Sequence, residues 1–178
     1  MGELEVLKIT SQRLDELGID YMLTGSFAMA YYATPRMTRD LDLVVALKDE
    51  DIAPLIEGFS KDFYVDAALA RAAVSAQRLF NLMHLESGIK VDLIVRKSSE
   101  YRQVEFARRQ RVTFAGIEVW IASCEDLVLS KLLWAQETDS ELQRRDVRSL
   151  LGESLDRDYL EKWAAKLGIL QLLQDNRP

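Results

Sequence analysis

The run Asp40-Leu41-Asp42-Leu43-Val44-Val45 constrains this chain more than any other stretch. Side chains on a strand alternate between its two faces. Asp40 and Asp42 therefore point to one side, and Leu41 and Leu43 to the other. Two carboxylates at that spacing lean toward a common centre, where they repel each other and lose hydration if enclosed. An ordinary half-exposed strand shows the same alternation, so the pair alone decides little. Its surroundings decide more. Upstream, a short strand from Tyr21 ends in Thr24-Gly25-Ser26, which opens a helix over Phe27 to Ala33. A Gly-Ser turn at a helix start presents free backbone N–H groups to an anion. Downstream, Val91-Asp92-Leu93-Ile94-Val95 is a second apolar strand with one carboxylate, and Pro35-Arg36-Met37-Thr38-Arg39 places cations just before the acidic pair. A hard divalent cation such as Mg2+ resolves the repulsion, because it accepts carboxylate oxygens and keeps positions open for phosphate.

The length of 178 residues suits one domain, or one domain with a small appendage. No apolar run approaches the ~20 residues that span a bilayer, and Met-Gly-Glu-Leu-Glu lacks the pattern of a signal peptide. A cytoplasmic protein with no membrane partner is the expectation. The single cysteine, Cys124, excludes an internal disulfide framework and a multi-cysteine zinc site. A net charge of −6 disfavours general nucleic-acid binding, which needs phosphates neutralised. Arg108-Arg109-Gln110-Arg111 and Arg144-Arg145 are the local exceptions, and each alone reads as a solvated face.

Hydrophobic spacing predicts a helix over Gly2 to Leu17 with a stripe of Leu4, Leu7, Leu14 and Leu17, stopped by Gly18. The acidic strand spans Arg39 to Leu47, and Asp49 is the expected cap of the next helix, which buries Ile52, Leu55, Ile56 and Phe59. An alanine-rich helix is expected from Ala67. Arg78–Leu85 and Ile89–Val95 form a hairpin around Glu86-Ser87-Gly88. In the second strand Asp92 and Ile94 lie opposite Val91, Leu93 and Val95. A helix over Ser98 to Arg109 leads to a second hairpin around Ala115-Gly116. Helices then follow from Ser123, from Glu141 and from Asp156. These elements predict an α+β architecture: a mixed, largely antiparallel sheet with helices packed on it over residues 1–122, and a helical part over 123–178.

Gly25-Ser26, Asp40-Leu41-Asp42 and Asp92 together resemble the nucleotidyltransferase superfamily of the DNA polymerase β type. There a Gly-Ser turn and helix precede an Asp-x-Asp strand, and a third carboxylate sits on a later strand. The string Gly-Ser-x-Ala followed by Pro-Arg-x-Thr-x-Asp-Leu-Asp-Leu-Val-Val is most similar to its minimal bacterial branch, which includes the AbiEii-type toxins of abortive-infection and toxin–antitoxin systems. That branch also has a helical lysine and a later aspartate, and the resemblance carries these to Lys131 and Asp146. It implies transfer of a nucleoside monophosphate from an NTP to a hydroxyl of an RNA, a protein or a small molecule, with an antitoxin protein as a possible partner.

In this reading Asp40 and Asp42 hold Mg2+ on the triphosphate. Asp92 holds a second Mg2+ beside the attacking hydroxyl, or accepts its proton. Gly25 lets the backbone approach the phosphates, Ser26 adds a hydroxyl donor, and Arg36 neutralises phosphate charge. Lys131 contacts phosphate from the helical side, and Asp146 orients Lys131 or Arg36. The competing class is a non-catalytic member of the same fold that binds a nucleotide or a partner. His84 reads as packing, since no second histidine is available. Cys124 reads as a small semi-buried residue, Trp120, Trp134 and Trp163 as core or interface anchors, and Tyr31 and Tyr32 as packing or as a pocket wall.

Overall fold

The computed structural model describes residues 2–33, 38, 40–152 and 154–177. In chain order the elements are α1 (Glu3–Glu16), β1 (Tyr21–Thr24), α2 (Gly25–Tyr32), β2 (Asp40–Val45), α3 (Ile52–Phe59), β3 (Phe63–Val65), α4 (Ala67–Ala76), β4 (Leu79–His84) and β5 (Lys90–Val95). They continue as α5 (Glu100–Ala107), β6 (Gln110–Phe114), β7 (Ile117–Ile121), α6 (Cys124–Thr138), α7 (Glu141–Leu150), α8 (Arg157–Lys166) and α9 (Leu170–Asp175).

The strands form one seven-stranded sheet in the order β3-β4-β5-β2-β1-β7-β6. The pairs β2–β5 and β1–β7 are parallel, and the rest are antiparallel. The mixed, mostly antiparallel sheet follows from hairpin connections within β4–β5 and β6–β7 and a helical crossover between β2 and β5. The two central strands carry the alternation predicted for them. Leu41, Leu43, Val45, Val91, Leu93 and Val95 are buried on one face, and Asp40, Asp42, Val44, Lys90, Asp92 and Ile94 share the other.

The apolar face continues through Phe80, Leu82 and His84 of β4. Phe63 sits edge-on to both Phe59 of α3 and His84, and Arg13 of α1 stacks over Phe59 and Phe63. His84 is buried there, with Nδ1 2.9 Å from Ser87 Oγ, so it packs and closes the turn. Against the second face lie α2 and α6, which also touch one another. Among the described residues no helix is long and apolar enough to cross a membrane.

Several local expectations are corrected. Leu4 is exposed, and the buried stripe of α1 is Val6, Leu7, Thr10, Ser11 and Leu14, rotated by the side that meets α3. Asp49 does not cap α3. A 3-10 turn over Asp49–Asp51 precedes that helix, and the Asp51 carboxylate accepts from the Lys48 N–H at 2.8 Å. The alanine-rich helix begins where expected, capped by Asp66, but β3 lies just before it; three residues are too few to show a period. Trp163 is buried, whereas Trp134 is 52% exposed. Ser123 caps α6 as predicted, accepting from the Asp126 N–H at 3.2 Å.

Candidate active site

The register across the sheet builds a single row of polar side chains. Thr24 of β1 lies opposite Asp42 of β2, Asp42 opposite Asp92 of β5, and Asp92 opposite Asn81 of β4. Residues paired across neighbouring strands face the same way, so these four side chains share the second face. One step along, Asp40 lies opposite Lys90. The parallel pairing of β2 with β5 thus brings Asp40, Asp42 and Asp92 together, although some fifty residues of chain separate the last from the first two.

Asp42 is the most constrained of the three. Gly25 has φ of +66°, and a Cβ added there would lie 2.1 Å from Asp42 Oδ2. Only glycine lets the start of α2 approach the carboxylate this closely. Burial, reinforced by Asp92 and then Asp40, raises the pKa of Asp42 to about 6. Such a cluster of like charge fits a cation and has little reason to exist without one. Asp92 is buried, and its Oδ1 accepts from the Asn81 amide. Its Oδ2 lies 3.0 Å from Lys90 Nζ, which is also 3.9 Å from Asp40 Oδ1. The bond to Asp92, with the charges of all three aspartates, raises the pKa of Lys90. Among the described residues, no three Asp, Glu, His or Cys side chains are gathered closely enough to hold one metal ion.

The Thr24–Asp42 end of the row lines a cavity of about 250 Å³. Its floor is Thr24, Gly25, Asp42, Val44 and Ile94, and its roof comes from α5 and α6 through Arg102, Glu105, Leu127, Ser130, Lys131 and Trp134. Lys131 is 4% exposed and Asp146 2%, and their charged ends are 2.7 Å apart. Lys131 also donates to Gln143 Oε1 at 3.2 Å. This is a buried pair, not the exposed one that two helix-surface residues suggest. Of the two roles expected for Asp146, holding Lys131 matches this contact. Beside it Arg102 grips the buried carboxylate of Glu105 at 2.8 and 3.0 Å and donates to Ser130 at 2.6 Å.

The structure therefore brings Gly25, Asp42 and Lys131 to one cavity, with Asp40 and Asp92 next to Asp42 on the same sheet face and Asp146 paired with Lys131. Ser26 follows Gly25 in the first turn of α2. Arg36 lies outside the described residues. Sequence reasoning missed Lys90, Asn81, Gln143 and the Arg102–Glu105–Ser130 group. Tyr32 is not a cavity residue: its hydroxyl donates to the Ala122 carbonyl at 2.7 Å. Burial pushes the Cys124 thiol up to about 12, so it is no thiolate nucleophile. Four arginines of the two clusters meet carboxylates of this chain. Arg108 pairs with Glu125 and Asp126, Arg109 with Asp20, Arg111 with Asp15 and Arg144 with Asp139.

Solved structures share this arrangement of strands and helices. An antigenic nucleotidyltransferase-like protein from Paracoccidioides brasiliensis superposes with a TM-score of 0.58 at 20% identity, covering 97% of this chain and 92% of that one. ANT(2")-Ia in complex with adenylyl-2"-tobramycin gives 0.60 at 16% identity, covering 93% and 95%. The lincosamide antibiotic adenylyltransferase LnuA, bound to lincomycin, gives 0.56 at 13%, covering 84% and 96%. At such identities the likeness is one of fold. No curated protein matches the sequence. The family model described as nucleotidyltransferase of unknown function (DUF6036) matches residues 3–177. With nearly the whole chain inside that match, the chain belongs to this nucleotidyltransferase family.

Proposed function

We propose that the chain moves a nucleoside monophosphate from an NTP to a hydroxyl of a small-molecule acceptor. The observation that carries this reading is the row Thr24–Asp42–Asp92–Asn81, whose Thr24–Asp42 end lines, beside the Gly25 start of α2, a cavity roofed by Lys131. The division of labour follows the two parts of the chain. Residues 1–122 supply the carboxylates and the helix start, and residues 123–178 supply the lysine.

The backbone N–H groups at Gly25 and Ser26 and the ammonium of Lys131 hold triphosphate oxygens. Asp146 and Gln143 keep Lys131 aimed into the cavity. Asp40 and Asp42 are the residues that would hold Mg2+, which supplies charge neutralisation for the triphosphate and for the leaving pyrophosphate. Asp92 takes the proton of the attacking hydroxyl. The acceptor oxygen then bonds to the α-phosphorus, the bond from that phosphorus to the bridging oxygen breaks, and pyrophosphate departs with the electron pair.

A small acceptor is favoured over RNA because Arg108, Arg109, Arg111 and Arg144 are held in ion pairs and the net charge is −6. Two neighbours of the same fold are named for transfer to antibiotics or for an adenylylated one. The test is transfer of label from each of four α-32P NTPs, with Mg2+, to a panel of polyhydroxylated small molecules and to total tRNA. The expected result is label on a small molecule with release of pyrophosphate, lost in Asp42→Asn. Label on tRNA would replace the acceptor class and restore the toxin-type reading. No transfer and no Mg2+-dependent NTP binding would leave a non-catalytic binding protein.

A further inference from the structure

We propose that Lys90 takes the place of one of the two divalent ions, so that the site works with a single metal and a fixed ammonium. This rests on the transferase reading and refines it. Sequence reasoning puts a second Mg2+ at Asp92. The structure puts a side chain of this chain there. Register fixes it: Lys90 is opposite Asp40 across the β2–β5 pair and two residues before Asp92 on the same strand face. Its Nζ bridges the two carboxylates, 3.0 Å from Asp92 and 3.9 Å from Asp40.

Both oxygens of Asp92 are then engaged, Oδ2 by Lys90 and Oδ1 by Asn81. The ammonium also explains why the aspartates do not close into a three-carboxylate cage among the described residues. Lys90 does not neutralise the row. Asp40, Asp42 and Asp92 outnumber it; its ion pairs are with Asp40 and Asp92, and Asp42 lies beside Gly25 and lines the cavity. One divalent ion offsets that excess; a second at Asp92 would meet a positive charge already there. On the acceptor side the ammonium donates to the attacking oxygen and holds Asp92 in line with it. It supplies one positive charge and no open coordination position.

Counting ions tests this directly. Mn2+ is titrated into the protein with each of the four α,β-methylene NTPs, and bound ions are counted by electron paramagnetic resonance. The wild type should hold one Mn2+ per chain and Lys90→Met two, while Lys90→Arg stays at one. Two ions in the wild type would overturn the proposal, and so would one ion in Lys90→Met, because removing the ammonium would have freed no position. The wild-type count stands even if a variant fails to fold. No Mn2+ in either protein with any analogue would overturn the transferase reading as well, an outcome distinct from a count of two.

Discussion

The sheet face and the helical wall across the cavity treat buried charge in opposite ways. On the wall, each buried carboxylate has a cation beside it: Asp146 has Lys131, Glu105 has Arg102 and Asp126 has Arg108. Asp126 is fully buried yet accepts from Ser123, Tyr159 and Arg108, at 2.7, 2.7 and 3.2 Å. Such a carboxylate joins α5, α6 and α8 and has nothing left to offer a ligand. On the sheet, three carboxylates share the one lysine among them, and burial, reinforced by Asp92 and then Asp40, raises the pKa of Asp42. Paired charge holds the wall in shape; surplus charge marks where a ligand completes the molecule. Each substitution below strikes one side of that contrast.

The largest effect is expected at Asp42. Asp42→Asn should lower transfer by about 10²- to 10³-fold, the worth of one electrostatic contact to the reacting group. Stability should move the other way. The folded-state pKa of about 6 lies above the ordinary 3.8. Ionising this group therefore costs the folded protein more than the unfolded chain, and stability falls as pH rises between those values. The asparagine variant escapes that cost. Its Tm at pH 8 should exceed the wild type's by roughly 6–12 °C in the absence of metal. Below pH 4 the two should converge, which differential scanning calorimetry at both pH values checks.

On the wall the same logic predicts the opposite sign. Lys131→Ala takes from the buried Asp146 the ammonium 2.7 Å away, and Asp146→Leu takes that carboxylate from the buried Lys131. Breaking such a pair costs about 3–5 kcal/mol, so Tm should fall by roughly 6–20 °C for a chain of this size. The double variant Lys131→Met with Asp146→Leu should recover most of that loss while remaining inactive. Recovery of activity together with stability would reduce Lys131 to a structural residue.

Gly25→Ala joins the two effects. A methyl group 2.1 Å from Asp42 Oδ2, on a residue with φ of +66°, forces the carboxylate aside and strains the backbone. Activity should drop about 100-fold, in line with a 1 Å misplacement, with a stability loss of roughly 1–3 kcal/mol. Full activity in a folded Gly25→Ala variant would remove the case for close approach at this turn.

How much of this was legible in the sequence follows the range of the interactions involved. Asp40, Asp42 and Asp92 could be placed because strand period is local and each sits in an unbroken apolar run. Asn81 was within reach: counting outward from Glu86-Ser87 along the predicted hairpin sets it opposite Asp92. Lys90 shares a strand face with Asp92 by the same counting, but a lysine at a strand end reads as a solvated residue until β2 is known to lie alongside. The parallel β2–β5 pairing is what makes it an active-site neighbour, and no short-range pattern specifies it. The grip of Arg102 on Glu105 is a helical i,i+3 pair, ordinary in sequence, and acquires meaning only because α5 packs against Ser130 of α6. Leu4 and β3 were misread for a related reason, since tertiary contact decides which flank of a helix is buried and lets three residues become a strand.

Trp134 gives the smallest and most specific test. It reads as a core or interface anchor in a sequence of aliphatic neighbours, yet it is 52% exposed and lines the cavity together with Val44 and Ile94. An exposed indole in a cavity that also has aliphatic lining suits a flat or apolar group. Trp134→Ala should leave Tm within about 1–2 °C, because a surface truncation removes little packing. Loss of one stacking partner is worth about 1–3 kcal/mol where the partner is a base, so KM for the NTP should rise roughly 5- to 100-fold with kcat nearly unchanged. If KM for the acceptor rises instead, the indole serves the acceptor and the nucleotide base lies elsewhere on the sheet face. A variant that loses stability without either KM moving would make Trp134 part of the wall's packing, and the contrast between the two sides of the cavity would then end at Lys131.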